Sequence, residues 1–351
     1  MKKNIRIKDI AEKAGVSVGT VDRVLHNRGE VSVVTKEKIL SIVKELDYHP
    51  NILARALTSK KIYTFAVLIP SADNSNSYWT HPLKGIHNAE HNLKDYNIKI
   101  EKFFFNQNSK KEFQEQFKNL IKLNPQGVLL APIFSDEVQK FTAKLLESDI
   151  PFVFINSDKA NSKRLCFIGQ DDFQSGMVAS KLASINLSNN DTILVVHITK
   201  DYKSKEHFVN RNNGFLHYFK EKSQKIIQVE LKDNFTHDFD EIFALNPSIR
   251  SIYVLSSKVY KVAEYLKANS LKHIQLIGYD LIKENIGYLN QEYIDFLISQ
   301  NSEKQGYRAI NYLFKAIVKN ETVPKQDLMP IDIITKENVK YYVSSSEKSK
   351  L

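Results

Sequence analysis

Polar and aromatic residues recur in this chain directly after short apolar runs, and their types suit the capture of a small polar molecule. "TFAVLIP" is followed by "SADNSNSYW", which ends in Tyr78 and Trp79. "PFVFIN" ends at Asn156, with Asp158 just beyond, and "GQDD" at 169–172 places Asp171 directly before the helical pattern that starts at 172. Ser256 follows "SIYVL", Asp280 closes "IQLIGYD", and Gln300 follows "DFLIS". Taken singly, each reads as an ordinary turn or helix cap. Taken together, carboxylates, amides and aromatic plates match a polyhydroxylated ligand, whose hydroxyls need donors and acceptors and whose C–H faces need apolar surface.

The elements that must position these groups are also legible. The runs "TFAVLIP", "GVLLAP", "PFVFIN", "TILVVHI", "SIYVL" and "IQLIGYD" alternate with helical patterns at 109–123, 172–187 and 257–269. Continuous β-rich runs between helices imply parallel strands covered on both faces, a doubly wound α/β layout. In such sheets ligands bind at the carboxyl ends of the strands, where these polar residues fall.

Signatures of catalysis are missing from the sequence. There is no G-x-G-x-x-G after a strand, no G-x-x-x-x-G-K-[ST], no H-E-x-x-H and no G-x-S-x-G. The ten histidines are scattered, His197 on an apolar strand reads as a core residue, and the single Cys166 builds neither a disulfide nor a thiolate metal site. The expectation is binding without turnover, so no catalytic residue, no metal and no cofactor. No run of 18 or more uncharged apolar residues is present, which leaves no membrane-spanning helix in the reading, and the start "MKKNIRIKDIAEKAG" enters an amphipathic pattern directly. A cytoplasmic protein is expected.

Charge separates the front of the chain from the rest. Residues 1–61 carry 13 Lys and Arg against 7 Asp and Glu, so +6 of the formal +10 sits there and attracts polyanions. Ile7, Ile10, Ala11 and Ala14 share one face of a short helix, Gly15 offers a left-handed stop, and Ser17 can cap a second helix from Val18. Val21, Val24 and Leu25 then face inward, while Val18, Gly19, Asp22 and Arg23 face out. Two helices joined this way form a helix-turn-helix, whose second helix enters the major groove with its N-terminal part. Gly19 costs about 1 kcal/mol against alanine in a helix; close approach to DNA and tight packing on the first helix both account for it. A third helix follows, with Thr35 as its expected cap, and "YHP" ends it.

The stretch "IKDIAEKAGVSVGTVDRVLHNRGEVSVVTKEKILSIVKELDYHPNILARALTSKK" resembles the DNA-binding head of the lactose repressor/galactose repressor (LacI/GalR) family, over about 55 residues. The resemblance implies DNA contacts from Ser17, Val18, Gly19, Thr20, Asp22, Arg23 and Asn27. It also implies a hinge helix that folds on DNA, using Asn51, Ala54, Arg55 and Leu57, with Leu57 wedged into the minor groove. Asp22 stands where the family usually has serine. Residues 62–343 resemble the family's periplasmic-binding-protein-like type I effector domain, close to the ribose-type sugar-binding proteins. There Tyr78 and Trp79 match the aromatic pair, Arg211 in "RNNGF" the ligand arginine, Asp280 the ligand aspartate and Gln300 the late glutamine. Asn156 replaces a frequent aspartate and Ser256 a frequent asparagine. The implied organisation is a helix-turn-helix head over 1–50, a hinge and linker over 51–61, a two-lobed effector domain over 62–343 and a tail over 344–351. The implied function is a ligand-responsive transcription regulator, a homodimer on a palindromic operator that senses a small carbohydrate or polyol. A sugar-binding transport-type protein, or a carbohydrate enzyme fused to a DNA-binding head, is the alternative.

Overall fold

The computed structural model describes residues 5–25, 28–48, 62–72, 77–159, 161–185, 187–198, 205–231 and 235–343. The chain divides between residues 61 and 62 into two compact units. Of the residues implicated in DNA contact, Asn27, Asn51, Ala54, Arg55 and Leu57 lie outside the described residues.

The first unit is three helices: α1 (Ile7–Ala14), α2 (Val18–Leu25) and α3 (Val33–Glu45). Asp9 accepts from the Arg6 backbone N–H at 2.7 Å to start α1, and Gly15 stops it in the left-handed region at φ 68°. Ser17 caps α2 by accepting from the Thr20 N–H at 3.1 Å. The cap of α3 is Ser32 rather than Thr35: its hydroxyl accepts from the Thr35 N–H, so Thr35 is the capped residue. Ile10, Ala11, Ala14, Val21, Val24, Ile39 and Ile42 form a shared core, which lets helices too short to persist alone hold one another.

The second unit contains two six-stranded sheets. The chain runs β1 (Tyr63–Pro70), α4 (Thr80–Asn92), β2 (Ile98–Phe105), α5 (Lys110–Lys122), β3 (Gly127–Leu130), α6 (Ser135–Glu147), β4 (Phe152–Asn156) and β5 (Cys166–Gly169). It continues through α7 (Asp172–Ala183), β6 (Thr192–Ile198), α8 (Glu206–Tyr218), β7 (Lys225–Leu231), α9 (Thr236–Leu245), β8 (Ile249–Val254), α10 (Val259–Ala268) and β9 (Gln275–Tyr279). The last elements are α11 (Lys283–Asn290), β10 (Phe296–Ser299), α12 (Ser302–Ile317), β11 (Gln326–Leu328) and β12 (Asp332–Ile334). Sheet orders are β11-β5-β4-β3-β1-β2 in the first lobe and β12-β10-β9-β8-β6-β7 in the second. All pairings are parallel except β12, which runs antiparallel to β10. The chain therefore passes between lobes after β5, after β10 and after β11. Within "MPIDIITKENVKYY" the last strand is only the three residues of β12, followed by a 3-10 turn at Val339–Tyr341.

Each lobe contains one helix pair brought together by reciprocal glycines. A Cβ at Gly85 on α4 would sit 1.9 Å from the Glu303 carbonyl oxygen of α12, and one at Gly306 2.1 Å from that of Pro82. In the second lobe a Cβ at Gly176 on α7 would lie 2.0 Å from the Arg211 carbonyl oxygen of α8, and one at Gly214 2.0 Å from that of Phe173. The glycines trade helix propensity for backbone-to-backbone approach. Gly176→Ala should therefore lower stability by about 1–3 kcal/mol although alanine is the better helix former. Gly287→Ala on α11, where a Cβ would meet nothing within 4 Å, should be neutral or stabilising. Chemical denaturation of both variants checks this, and equal effects would contradict the packing account.

Candidate functional site

The polar residues after the strands converge between the two lobes on Arg211. Its side chain is 1% exposed and lies on α8, with its guanidinium 4.0 Å above the Tyr279 ring. Nε donates to Asp172 Oδ1 at 2.8 Å, Nη1 to the Leu255 carbonyl at 3.0 Å and Nη2 to Gln300 Oε1 at 2.5 Å. Gln300 Nε2 in turn donates to both carboxylate oxygens of Asp280 at 3.0 Å. Burial opposes the guanidinium charge, but Asp172, the tyrosines and Asp280 outweigh it and hold Arg211 above the usual arginine value.

The two carboxylates shift the other way. Burial pushes Asp280 up to about 7 and Asp172 to about 6, in each case against the pull of Arg211. Asp280 sits in the left-handed region at φ 70°, a conformation that Asp and Asn tolerate better than most residues. Asn285, fully buried on α11, fixes this bend: its Nδ2 donates to the carbonyls of Tyr279 and Asp280 and of Ser257. Asp280 does not cap the next helix, since α11 begins at Lys283 with Ile282 as its cap residue. Its carboxylate is directed to Gln300 and the cleft.

The first lobe supplies the facing wall. Tyr78 and Trp79 are buried in an edge-to-face pair 5.1 Å apart. Asn156 Nδ2 donates to the Tyr78 hydroxyl at 2.7 Å, and burial with Asp280 nearby raises that phenol well above its ordinary value. Asn156 is itself at φ 70°, with its N–H donating to Gln305 Oε1 at 2.9 Å. The cleft so bounded encloses about 80 Å³ and is also lined by Ser256.

Two expected ligand residues stand elsewhere. Asp158 is paired with Arg164 through both of its carboxylate oxygens, and Asp171 caps α7 by accepting from the Gln174 N–H at 2.9 Å. Both line a separate pocket of about 270 Å³ beside the first crossing. Asp172, one residue on, is the carboxylate that reaches the buried arginine. Ser257, directly after Ser256, also lines the cleft, and Gln107, Ile133, Lys205, His207 and Phe208, which were not singled out from the sequence, complete it. Ile133 follows a recognised run, so the strand-end rule reaches it. Gln107 follows β2, whose "IKIEKFFF" is masked by charges because it is an edge strand. Lys205, His207 and Phe208 belong to the start of α8, with no strand end beside them. Among the described residues no cluster of three or more His, Cys, Asp or Glu could hold a metal ion.

On the first unit, Ser17, Val18, Gly19 and Arg23 are exposed on one face, and Thr20 and Asp22 are half-buried. The Asp22 carboxylate lies near enough to Tyr48 to help raise that phenol, after burial, so it serves the inside of the unit as well as its surface. A Cβ at Gly19 would meet only Ser17 Oγ, at 3.7 Å, an ordinary contact. Packing against α1 therefore does not explain the glycine. Gly19→Ala should stabilise the first unit by up to about 1 kcal/mol and weaken DNA binding; a melting curve and an anisotropy titration decide it, and unchanged DNA affinity would show that the backbone needs no close approach.

For the cleft, the raised Asp280 fixes a sign. A carboxyl held at about 7 when folded and near 4 when unfolded contributes a stability that is fully present at low pH and declines as pH rises from about 4 to 7. Asp280→Asn, which suits the same backbone conformation, should therefore be more stable than the parent at pH 8 by on the order of 2 kcal/mol, with the gap closing below about pH 4. Denaturation across pH measures it; a parent more stable than the variant at pH 8 would mean that the attraction of Arg211 outweighs desolvation.

Comparisons with known proteins agree with this architecture. Residues 65–321 match the family described as periplasmic binding protein domain, and residues 6–51 match bacterial regulatory proteins, lacI family. The ribose operon repressor of Lactococcus lactis is 26% identical over 354 residues, covering 95% of this chain and 98% of that protein. The HTH-type transcriptional regulator RegA of Clostridium saccharobutylicum is 44% identical over 92 residues, 26% of this chain and only 27% of that regulator's length. Among solved structures, a putative LacI transcriptional regulator from Bacteroides fragilis is 30% identical with a TM-score of 0.76, covering 81% of this chain and all of that one. A carbohydrate transporter solute binding protein from Agrobacterium radiobacter, 19% identical, covers 84% of this chain and 99% of that one with a TM-score of 0.69, a likeness of fold. With its helical first unit and its two-lobed second unit both accounted for, the chain belongs to the bacterial regulatory proteins of the lacI family and carries a periplasmic binding protein domain.

Proposed function

We propose that this regulator is a homodimer that reads a palindromic operator with the exposed face of α2 and changes its DNA affinity when a neutral monosaccharide or polyol enters the cleft. The observation that carries this reading is the Arg211–Gln300–Asp280 chain at the interlobe cleft, opposite Tyr78 and Trp79. Asp280 offers a carboxylate to ligand hydroxyls, and the aromatic pair offers apolar surface to C–H groups. The relative named a ribose operon repressor supports a pentose-sized effector. The absence of any nucleophile and base pair backed by a carboxylate, among the described residues, favours binding over turnover. A protein that acts on operator DNA works in the cytoplasm. The DNA-contacting set comprises Ser17, Val18, Gly19, Thr20, Asp22 and Arg23, together with Asn27, Asn51, Ala54, Arg55 and Leu57.

Calorimetric titration with D-ribose, D-arabinose, D-galactose and ribitol, alongside anisotropy on palindromic and scrambled duplexes, tests the reading. Ligand hydroxyls stabilise the Asp280 carboxylate, so binding near pH 7 should release protons and affinity should climb from pH 6 to pH 8. Arg23→Ala should cost about 1–3 kcal/mol in operator binding and relax choice at one base pair per half-site. Equal affinity for palindromic and scrambled duplexes, or a preference for sugar phosphates over the parent sugars, would overturn it.

A further inference from the structure

One hydrogen bond crosses the cleft away from the three chain crossings. Ser157, directly after β4 in the first lobe, and His207, in the first turn of α8 in the second, meet through Ser157 Oγ and His207 Nδ1 at 2.9 Å. The order of donors along this wall favours one imidazole tautomer. Asn156 Nδ2 donates to the Tyr78 hydroxyl, which leaves Asn156 Oδ1 to accept from Ser157 Oγ at 3.4 Å. With its proton so directed, Ser157 Oγ accepts from His207 Nδ1–H. The ring's remaining polar atom is then the Nε2 lone pair, on a side chain that lines the cleft.

We propose that His207 is a specificity-determining residue of the cleft: pinned across the lobes by Ser157, its neutral imidazole presents Nε2 as an acceptor that takes a ligand hydroxyl and rejects a carboxylate or phosphate. The charge around it supports this. Burial first, then Arg211 and Lys205, hold the imidazole well below its ordinary value, so it does not gain the proton that an anionic oxygen would require. Arg211, at the head of the Gln300–Asp280 chain, is already matched by Asp172 at 2.8 Å. An anionic oxygen at Nε2 would therefore meet a lone pair, whereas a hydroxyl would donate to it. The bond to Ser157 has a second consequence, since it joins the two lobes across the cleft and makes that link and selection depend on one side chain.

The inference rests on the reading of the cleft as a neutral-sugar site, and the experiment separates the two. Long-range proton–nitrogen correlation on the free protein at pH 7 should show His207 neutral with its proton on Nδ1; an Nε2–H tautomer or a charged ring overturns the proposal without any ligand. Wild type, His207→Asn, His207→Gln and Ser157→Ala are then titrated with D-ribose, D-arabinose, D-ribonate and D-ribose 5-phosphate. Asparagine reproduces the donor to Ser157 but lacks the acceptor, so affinity for the preferred neutral sugar should fall roughly 10-fold and the margin over its anionic counterparts should narrow. Glutamine reaches the Nε2 position and should restore part of the margin. Ser157→Ala should weaken all ligands while the preference survives. Wild type that binds a neutral sugar, with the same selectivity in His207→Asn, overturns this inference alone; wild type that binds only the acid or the phosphate overturns both it and the neutral-sugar reading.

Discussion

A buried guanidinium governs the second unit. Arg211 leaves water almost completely, and a charge without a partner in such a place is too costly to keep. Its surroundings are therefore arranged around it: Asp172 at the start of α7 takes Nε, the Leu255 carbonyl after β8 takes Nη1, Gln300 at the second crossing takes Nη2, and Tyr279 covers its face. These partners come from four separate stretches of chain. Removing one partner of such a set characteristically costs about 3–5 kcal/mol because the others remain buried. A single side chain thus ties the crossing to the sheet and the helices at the point where a ligand would sit.

The site is also built from backbone that an average residue would not adopt. Asn156 at the end of β4 and Asp280 after β9 share a φ of 70°, one in each lobe. Each bend turns a polar side chain off the end of a buried strand toward the space between the lobes, and each is held by a buried amide, Gln305 for Asn156 and Asn285 for Asp280. The reciprocal glycines have the same logic at the level of helices. Gly176 lets α7 approach α8 at the Arg211 backbone, so the distance between Asp172 and Arg211 is fixed by close packing rather than by the reach of two flexible side chains.

The first unit solves a different problem with fewer residues. Its three helices share a small core and are defined at their ends by Gly15, Ser17 and Ser32, which satisfy backbone groups that the short helices leave open. That leaves the face of α2 opposite Val21 and Val24 free of packing duties. Gly19, which none of the described residues requires to be small, and the exposed Val18 and Arg23 stand on this face.

The sequence by itself determined the elements and the family. Apolar runs that cannot face water on either side require buried parallel strands, and the helix-turn-helix pattern is local, written in residues within a few positions of each other. Most of the cleft could be read the same way, because a strand end marks its own polar neighbour: Tyr78, Trp79, Asn156, Ser256, Asp280 and Gln300 all line the cleft. What only the tertiary structure decided was which polar residue serves which partner. Asp158 and Asp171 look as suitable as Asp172 in sequence, yet the first is taken by Arg164 and the second by the N-terminus of α7, while Asp172 alone of the three points to Arg211. His207 has no local mark at all, since its role comes from a serine 50 positions away on the other lobe. Chain spacing encodes periodicity, but hydrogen-bond partnership across a cleft is set by how the two lobes come to face each other.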